Sequence, residues 1–256
     1  MNSTNWKSKP NLLFIILGGF FLTNAIIAEF IGVKIFSLEK LFDAEPVNWN
    51  FLGFDDLSFN LTAGVLLWPI VFIMTDVVNE YYGKKGVKIL SFLAVGMISY
   101  AYLAILLSIQ LPASDFWEVQ EFSEGSINMD LAFKYVFGQG LWIIIGSLVA
   151  FLVGQLIDVT VFQWIRKFTG PSKIWLRATG STLVGQLIDS FVVLYIAFYI
   201  GADWELNLVL AIATINYIYK CLIAILLTPV LYLVHYIIDF YLGKELSLEM
   251  TKAASD

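Results

Sequence analysis

Six apolar segments, each near or above the roughly 20 residues that a helix needs to cross a lipid bilayer, constrain this chain most. They cover residues 11–33, 60–82, 87–110, 131–165, 176–200 and 206–240. Of the 256 residues, 59% are apolar and only 14% are charged, so a water-soluble domain could not bury this much apolar surface. We therefore predict an all-α integral membrane protein, in which residues 1–256 form a single transmembrane domain built as a compact six-helix bundle.

The charged residues between these segments predict the orientation of the bundle. Basic residues lie at both termini and in the second and fourth loops, whereas acidic residues dominate the first, third and fifth loops. Because positive charge concentrates on the cytoplasmic side of membrane proteins, both termini are predicted to be cytoplasmic. The long first loop, residues 34–59, is rich in aromatic and acidic residues. It is expected to form a compact external cap or hairpin, with an interfacial aromatic belt as the alternative.

Several classes of function are excluded by what the chain lacks. The net charge of −6 offers no basic surface for nucleic acid, and the single cysteine and single histidine exclude a disulfide framework and a Cys/His zinc site. The chain has no phosphate-binding loop, since Gly83-Lys84-Lys85-Gly86 does not match that motif. We expect neither a bound cofactor nor enzymatic activity. An intramembrane aspartyl enzyme using Asp158 and Asp189 is disfavoured, because the sequence motifs around such aspartates are missing.

One pentapeptide occurs twice in the apolar second half of the chain. Gly154-Gln155-Leu156-Ile157-Asp158 recurs as Gly185-Gln186-Leu187-Ile188-Asp189. In a helix, Gln and Asp at this spacing lie on one face. A charged group at bilayer depth costs from about 2.5 to over 10 kcal/mol, so such residues usually bind or move something. The repeat therefore indicates a transporter.

The predicted depths of the two repeats match. Counted at about 1.5 Å per residue from the basic loop 166–177, Asp158 lies roughly 12 Å and Gln155 roughly 16 Å into the membrane. By the same count Gln186 lies roughly 14 Å and Asp189 roughly 18 Å deep. The glycine of each repeat leaves a gap that favours close approach of neighbouring helices or of a flat ligand.

Further polar residues lie within the spans. Asp76 and Glu80 share one face near the inner end of the second span, where Glu80 could instead pair with the lysines of the next loop. The Trp68-Pro69 step predicts a bend that exposes the Trp68 ring. Lys220 lies too deep to reach either surface easily, so we predict that it pairs with one of the buried carboxylates.

Further positions in the first and sixth spans complete these expectations. Asn216 lies one turn from Lys220, and Asn24 is expected to face the interior of the bundle, whereas Glu29 is expected at the water boundary. Thr228-Pro229 should bend the sixth span. His235 and Asp239 are expected to be solvated near the inner end of that span.

These motifs resemble the family of bacterial queuosine precursor transporters, also described as vitamin uptake transporters. The resemblance rests on Thr75-Asp76-x-x-x-Glu80-x-x-Gly83 and on the two Gly-Gln-x-x-Asp motifs with a basic loop between them, and it extends over residues 11–240. It implies import of 7-deazaguanines, preQ0 or preQ1, through the bacterial inner membrane for queuosine salvage in tRNA. It also implies a fold similar to the substrate-binding components of energy-coupling-factor importers, which rely on a separate ATPase.

The resemblance leads to a predicted binding site. Asp158, Asp189, Gln155 and Gln186 would form its polar floor, with Asp76 and Lys220 completing or gating it. Asn216, Asn24, Glu80 and Trp68 are further candidate substrate contacts. The alternatives are a transporter of another vitamin or nucleobase, or the substrate-binding component of an ATPase-driven importer. The sequence leaves open which of preQ0, preQ1 and queuine is the substrate. It also leaves open whether the protein forms a homodimer, is coupled to protons or depends on an unidentified energising partner.

Overall fold

The computed structural model describes residues 7–123, 125–138, 140–169 and 173–254. Residue 139 of the predicted fourth span and residues 170–172 of the predicted basic loop lie outside the described residues. In chain order the elements are α1 (Lys9–Ile31), β1 (Ile35–Ser37), α2 (Leu38–Leu41), β2 (Trp49–Phe51), β3 (Phe54–Leu57), β4 (Asn60–Thr62), a 3-10 turn (Ala63–Leu66), α3 (Trp68–Ile109), α4 (Asp115–Glu118), β5 (Val119–Phe122), β6 (Gly125–Asn128), α5 (Met129–Phe137), α6 (Leu141–Thr169), α7 (Ile174–Leu194), a π-helical turn (Tyr195–Ile200), α8 (Leu206–Leu226), α9 (Thr228–Leu242) and α10 (Lys244–Ala253).

Five helical segments of the described chain are long and apolar enough to cross a membrane. They are Lys9–Ile31, Trp68–Ile109, Met129–Thr169, Ile174–Ile200 and Leu206–Leu226. Large apolar side chains such as Phe20, Phe92 and Leu107 are exposed on these helices. Apolar surface on this scale does not persist in water, but it is the surface that lipid tails contact. The chain is therefore a predominantly helical, multi-pass membrane protein.

The longest helix, α3, is divided by Gly83. This residue has φ 68° and ψ −173°, a conformation that favours glycine, and it separates a first arm ending at Tyr82 from a second arm starting at Lys84. A Cβ atom at Gly83 would lie only 2.9 Å from the carbonyl oxygen of Ala254, so the close approach of the C-terminal segment also favours glycine. The two arms correspond to the predicted second and third spans. The main apolar core lies between α1, both arms of α3, α6, α7 and α9.

The start of α3 differs from the prediction. Residues 60–62 form strand β4, which pairs antiparallel with β1, and the helix begins only at Trp68. Pro69 therefore occupies the first turn, where a missing N–H breaks no intrahelical hydrogen bond. The predicted bend within this helix at Trp68-Pro69 is wrong, because proline begins the helix there.

Two other predicted spans are interrupted. The segment 131–165 corresponds to α5 and α6, which are separated after Phe137 by Gly138 at the end of α5. The segment 206–240 corresponds to α8 and α9, and the second of these begins with Thr228-Pro229. The predicted bend at Thr228-Pro229 is thus present as a break between two helices.

The loop 34–59 is folded. Strands β2 and β3 form the predicted hairpin, and Glu39 of α2 fixes the approach to β4 by accepting a hydrogen bond from the backbone N–H of Phe59 at 2.7 Å. Burial by itself would raise the pKa of Glu39, but hydrogen bonds from Phe59, from its own backbone N–H and from Ser37 hold that pKa below its ordinary value. This carboxylate therefore stabilises the segment in its charged form.

The repeated motifs lie where α6 and α7 cross. A Cβ atom built on Gly185 would lie 2.9 Å from the Cβ of Asp158, and one built on Gly154 would lie 3.3 Å from the Cβ of Asp189. Each glycine therefore faces the aspartate of the other repeat, as expected for two copies of one motif on antiparallel helices. The absence of a side chain at each glycine allows this close contact.

Replacing Gly185 with Ala should weaken this crossing. The added methyl group would overlap Asp158 and force the helices apart, at a cost of about 1–3 kcal/mol for overpacking. We expect a lower melting temperature of the purified protein in detergent. Gly96→Ala is the matched control, because nothing lies within 4 Å of a Cβ at that position of α3. Equal melting of the two variants would contradict the close packing at Gly185.

Candidate functional site

A small cavity lies beside the crossing of α6 and α7. Both repeats contribute their polar residues to its lining, which contains Gln155, Asp158, Gln186 and Asp189. It contains about 230 Å³ of space not filled by protein atoms, counted with its open side. The structure thus brings together the four residues that the sequence predicted as a polar floor, and it leaves space between them.

A larger cavity adjoins the small one. It contains about 560 Å³ of space not filled by protein atoms, a figure that includes its open side. Asp76, Gln186 and Lys220 are polar residues in its lining, and Trp68 is among the apolar ones. Both cavities share three lining residues, namely Phe72, Thr182 and Gln186. They are therefore neighbouring compartments that meet at these three side chains.

Aromatic rings form part of the walls of these cavities. Trp68 and Phe72, one turn apart on α3, are stacked with their centroids 6.1 Å apart and line the larger cavity. Phe151 of α6 lies 5.5 Å from the ring of Trp68 and lines the small cavity. The larger cavity thus offers ring surface on which a flat molecule can stack.

One ion pair connects the two cavities. Lys220 of α8 donates a hydrogen bond from Nζ to Oδ2 of Asp189 at 2.6 Å. The predicted pairing of Lys220 with a buried carboxylate is confirmed. Since Lys220 lines the larger cavity and Asp189 the small one, this contact ties α8 to the crossing of α6 and α7.

Several buried polar atoms around the cavities have no hydrogen-bond partner among the described residues. They are Asp76 Oδ1, both amide atoms of Gln155, both carboxylate oxygens of Asp158, Thr182 Oγ1 and Gln186 Oε1. An unsatisfied buried polar group costs about 1–3 kcal/mol, more when it is charged. All five residues line one or both cavities, so a polar molecule bound there would offset much of this cost.

Three predicted candidates line neither cavity. Asn24 and Asn216 donate hydrogen bonds to backbone carbonyls one turn earlier in their own helices, those of Phe20 and Ile212. Glu80 lies one turn after Asp76 on α3, and its carboxylate pairs with arginines instead. The structure therefore does not place these three side chains with the other candidates, because local or ion-pair contacts hold them.

Glu80 forms the centre of a buried ion cluster. Arg177 donates to both carboxylate oxygens, at 3.0 Å from Nε and 2.8 Å from Nη2. Arg166 lies 3.5 Å from Oε1 and donates to the backbone carbonyls of Glu80 and of Thr251 in α10. The alternative prediction, that Glu80 pairs with the lysines of the next loop, is wrong, because its partners are Arg177 and Arg166. The cluster joins α3, α6, α7 and α10 at one end of the bundle.

Glu29 and His235 also differ from expectation. Glu29 is 8% exposed and accepts hydrogen bonds from Ser147 and Tyr102, so its predicted place at the water boundary is wrong. His235 is buried beside Tyr81, whose hydroxyl donates to Asp239 at 2.7 Å. No group of three His, Cys, Asp or Glu side chains suited to a metal ion is present within the described ranges.

Sequence comparison gives the family. Residues 62–234 match the family model described as "Putative vitamin uptake transporter". The chain belongs to this family. The matched range contains every residue that lines either cavity, whereas α1 and the cap segment 34–59 precede it.

Relatives of the vitamin uptake transporter family have more specific names. A "Probable queuosine precursor transporter" of Haemophilus influenzae is 31% identical over 68% of this chain and 67% of its own. A protein of the same name from Bacillus subtilis is 33% identical over 55% of this chain and 58% of its own. The "Queuosine precursor transporter" of Escherichia coli is 26% identical over 66% and 70%. No solved structure gives a significant match.

The Glu80 cluster predicts a stability effect. Arg177→Gln would leave a buried carboxylate short of its main partner, which typically costs about 3–5 kcal/mol. We expect a large fall in melting temperature and yield. The double variant Glu80→Gln/Arg177→Gln should recover part of the loss, because no carboxylate then remains unpaired. A double variant no more stable than Arg177→Gln alone would argue against this interpretation.

Proposed function

We propose that this vitamin uptake transporter imports queuosine precursors, the 7-deazaguanines preQ0 and preQ1, across the bacterial inner membrane for salvage into tRNA. The names of the relatives support the substrate class. The observation that carries the proposal is a set of buried polar atoms, unpartnered among the residues that the structure describes, around two adjoining cavities with aromatic walls.

The chemistry of a 7-deazaguanine suits these walls. Its pyrimidine edge presents a ring N–H beside an exocyclic amine, which one carboxylate can accept together, and a carbonyl oxygen that needs a donor. In the larger cavity Asp76 supplies such a carboxylate, while Lys220 and Gln186 carry donors. The flat bicycle would stack on Trp68 and Phe72. We assign the double ring to this compartment, because it has the greater volume and the stacked aromatic rings.

The proposed topology has six crossings with both termini in the cytoplasm. The crossings would be α1, the two arms of α3, α6, α7, and α8 continued by α9, in one domain formed by residues 1–256. Alternation of basic and acidic loops supports this orientation. In this arrangement the Glu80 cluster lies at the cytoplasmic end and hairpin β2–β3 outside. We further propose a likeness to the substrate-binding components of energy-coupling-factor importers.

We propose that the energy for transport does not come from nucleotide hydrolysis by this chain. The sequence has no phosphate-binding loop, so transport is either facilitated, driven by an ion gradient, or energised by a partner protein. The buried carboxylates of Asp76 and Asp158 are groups that could carry a proton. If uptake is unchanged after the pH gradient is collapsed, transport is not coupled to protons.

A ligand panel tests the proposed substrate. The purified protein in detergent is heated with 7-deazaguanines, with purines and with vitamins, and its melting temperature is measured. A ligand at 100 times its dissociation constant stabilises the folded state by about 2.7 kcal/mol. We expect a clear rise with the 7-deazaguanines. A rise with a different vitamin or nucleobase instead would overturn the proposed substrate and support the alternative transporter.

The ion pair allows a second test. Lys220→Met should reduce uptake of radiolabelled precursor at least tenfold in cells that express the protein normally, because the larger cavity loses its cationic donor. The double variant Lys220→Met/Asp189→Asn distinguishes a purely structural pair. If the pair served stability alone, removing both charges would restore uptake. We expect uptake to stay low.

A further inference from the structure

The buried carboxylates near the cavities differ in their charge balance. Glu80 has two arginines and Asp189 has Lys220, each within ion-pair distance. Asp76 and Asp158, which are 5% and 3% exposed, form no ion pair within the described part of the chain, and both oxygens of Asp158 also lack a hydrogen-bond partner there. A buried carboxylate without a counter-ion is among the most costly groups in a protein. The position of Asp158 beside a cavity points to a partner that arrives from outside.

The polar groups around Asp158 are mainly hydrogen-bond acceptors. The small cavity is lined by two carboxylates and by the amides of Gln155 and Gln186, whose side-chain oxygens are unpartnered within the same described ranges. Its unpartnered donors there, the Gln155 amide nitrogen and the Thr182 hydroxyl, carry no charge. Among the described residues the neighbouring ammonium is that of Lys220, which is already bonded to Asp189. What this compartment lacks is a cation that can donate several hydrogen bonds.

We infer that the small cavity binds a positively charged substituent of the substrate and that Asp158 is the residue that selects it. This inference rests on the proposed function. With the double ring in the larger cavity, a substituent on the five-membered ring extends into the small cavity beside Phe72, Thr182 and Gln186, the residues that both cavities share. There its charge meets the carboxylate of Asp158.

The inference separates two substrates that the proposed function alone does not. The aminomethyl arm of preQ1 is an alkyl ammonium at neutral pH, because such amines have a pKa of about 10. The nitrile of preQ0 has no charge and no donor. An ammonium offers three donors to Asp158 and to the glutamine oxygens, whereas a nitrile would leave all of them unsatisfied. The transporter should therefore prefer preQ1.

The test compares ligands of equal size. Dissociation constants are measured by calorimetry in detergent for 7-deazaguanines with an aminomethyl, a hydroxymethyl or a nitrile substituent. The first two have the same shape and differ in charge. Wild type should bind the aminomethyl compound at least tenfold more tightly than the hydroxymethyl compound. Asp158→Asn, which keeps the volume, should bring this ratio to within threefold while it still binds the nitrile compound.

A matched control and three outcomes make the result decisive. Ser190→Ala removes a buried hydroxyl of α7 that lines neither cavity and has no hydrogen-bond partner in the described part of the chain, and it should keep the wild-type ratio. A wild-type ratio near one would overturn the inference without any variant, as would a tenfold ratio that survives in Asp158→Asn. If wild type binds none of the three compounds, the proposed function itself fails, and the inference fails with it.

Discussion

The close approach of α6 and α7 at Gly154 and Gly185 is the contact on which the small cavity depends. Because each glycine faces the aspartate of the other repeat, the two acids are held on opposite sides of one crossing. A larger side chain at either glycine would separate the helices and move Asp158 away from Gln186. One repeated motif thus provides both the packing surface and the polar lining, since its small residue and its acid lie one turn apart.

The ion pair of Lys220 and Asp189 extends this arrangement to a third helix. It links α8 to the crossing and lies between the two compartments. Its side chains are partly exposed, 17% and 22%, in contrast to the almost completely buried Glu80 cluster. A pair beside open space can exchange partners when a ligand enters, whereas a pair enclosed by protein on all sides cannot. The two ion pairs are therefore suited to different tasks.

Local sequence pattern predicted the residues of the small cavity but not the partners of Glu80. The Gln and Asp spacing and the depth count depend only on helix geometry, so Asp158, Asp189, Gln155 and Gln186 were found together. The pairing of Glu80 with Arg177 joins residues 97 positions apart, and no local pattern encodes such a contact. The sequence feature that pointed to this contact was the position of Arg177 at the edge of an apolar segment. Likewise, the start of α3 at Trp68 depends on β4 pairing with β1, which competes with apolar helix formation.

The contrast between Glu80 and Asp158 bears on how a membrane transporter can hold charge at depth. Both are acids on helices of the bundle, and both are nearly inaccessible to solvent. Glu80 is paired with arginines of α6 and α7, which ties these helices to α3 at one end of the bundle. If Asp158 had such a partner, its charge would be satisfied and a cationic substrate would gain nothing by approaching it. A binding residue for a cation must therefore carry the cost of an incomplete environment while the site is empty.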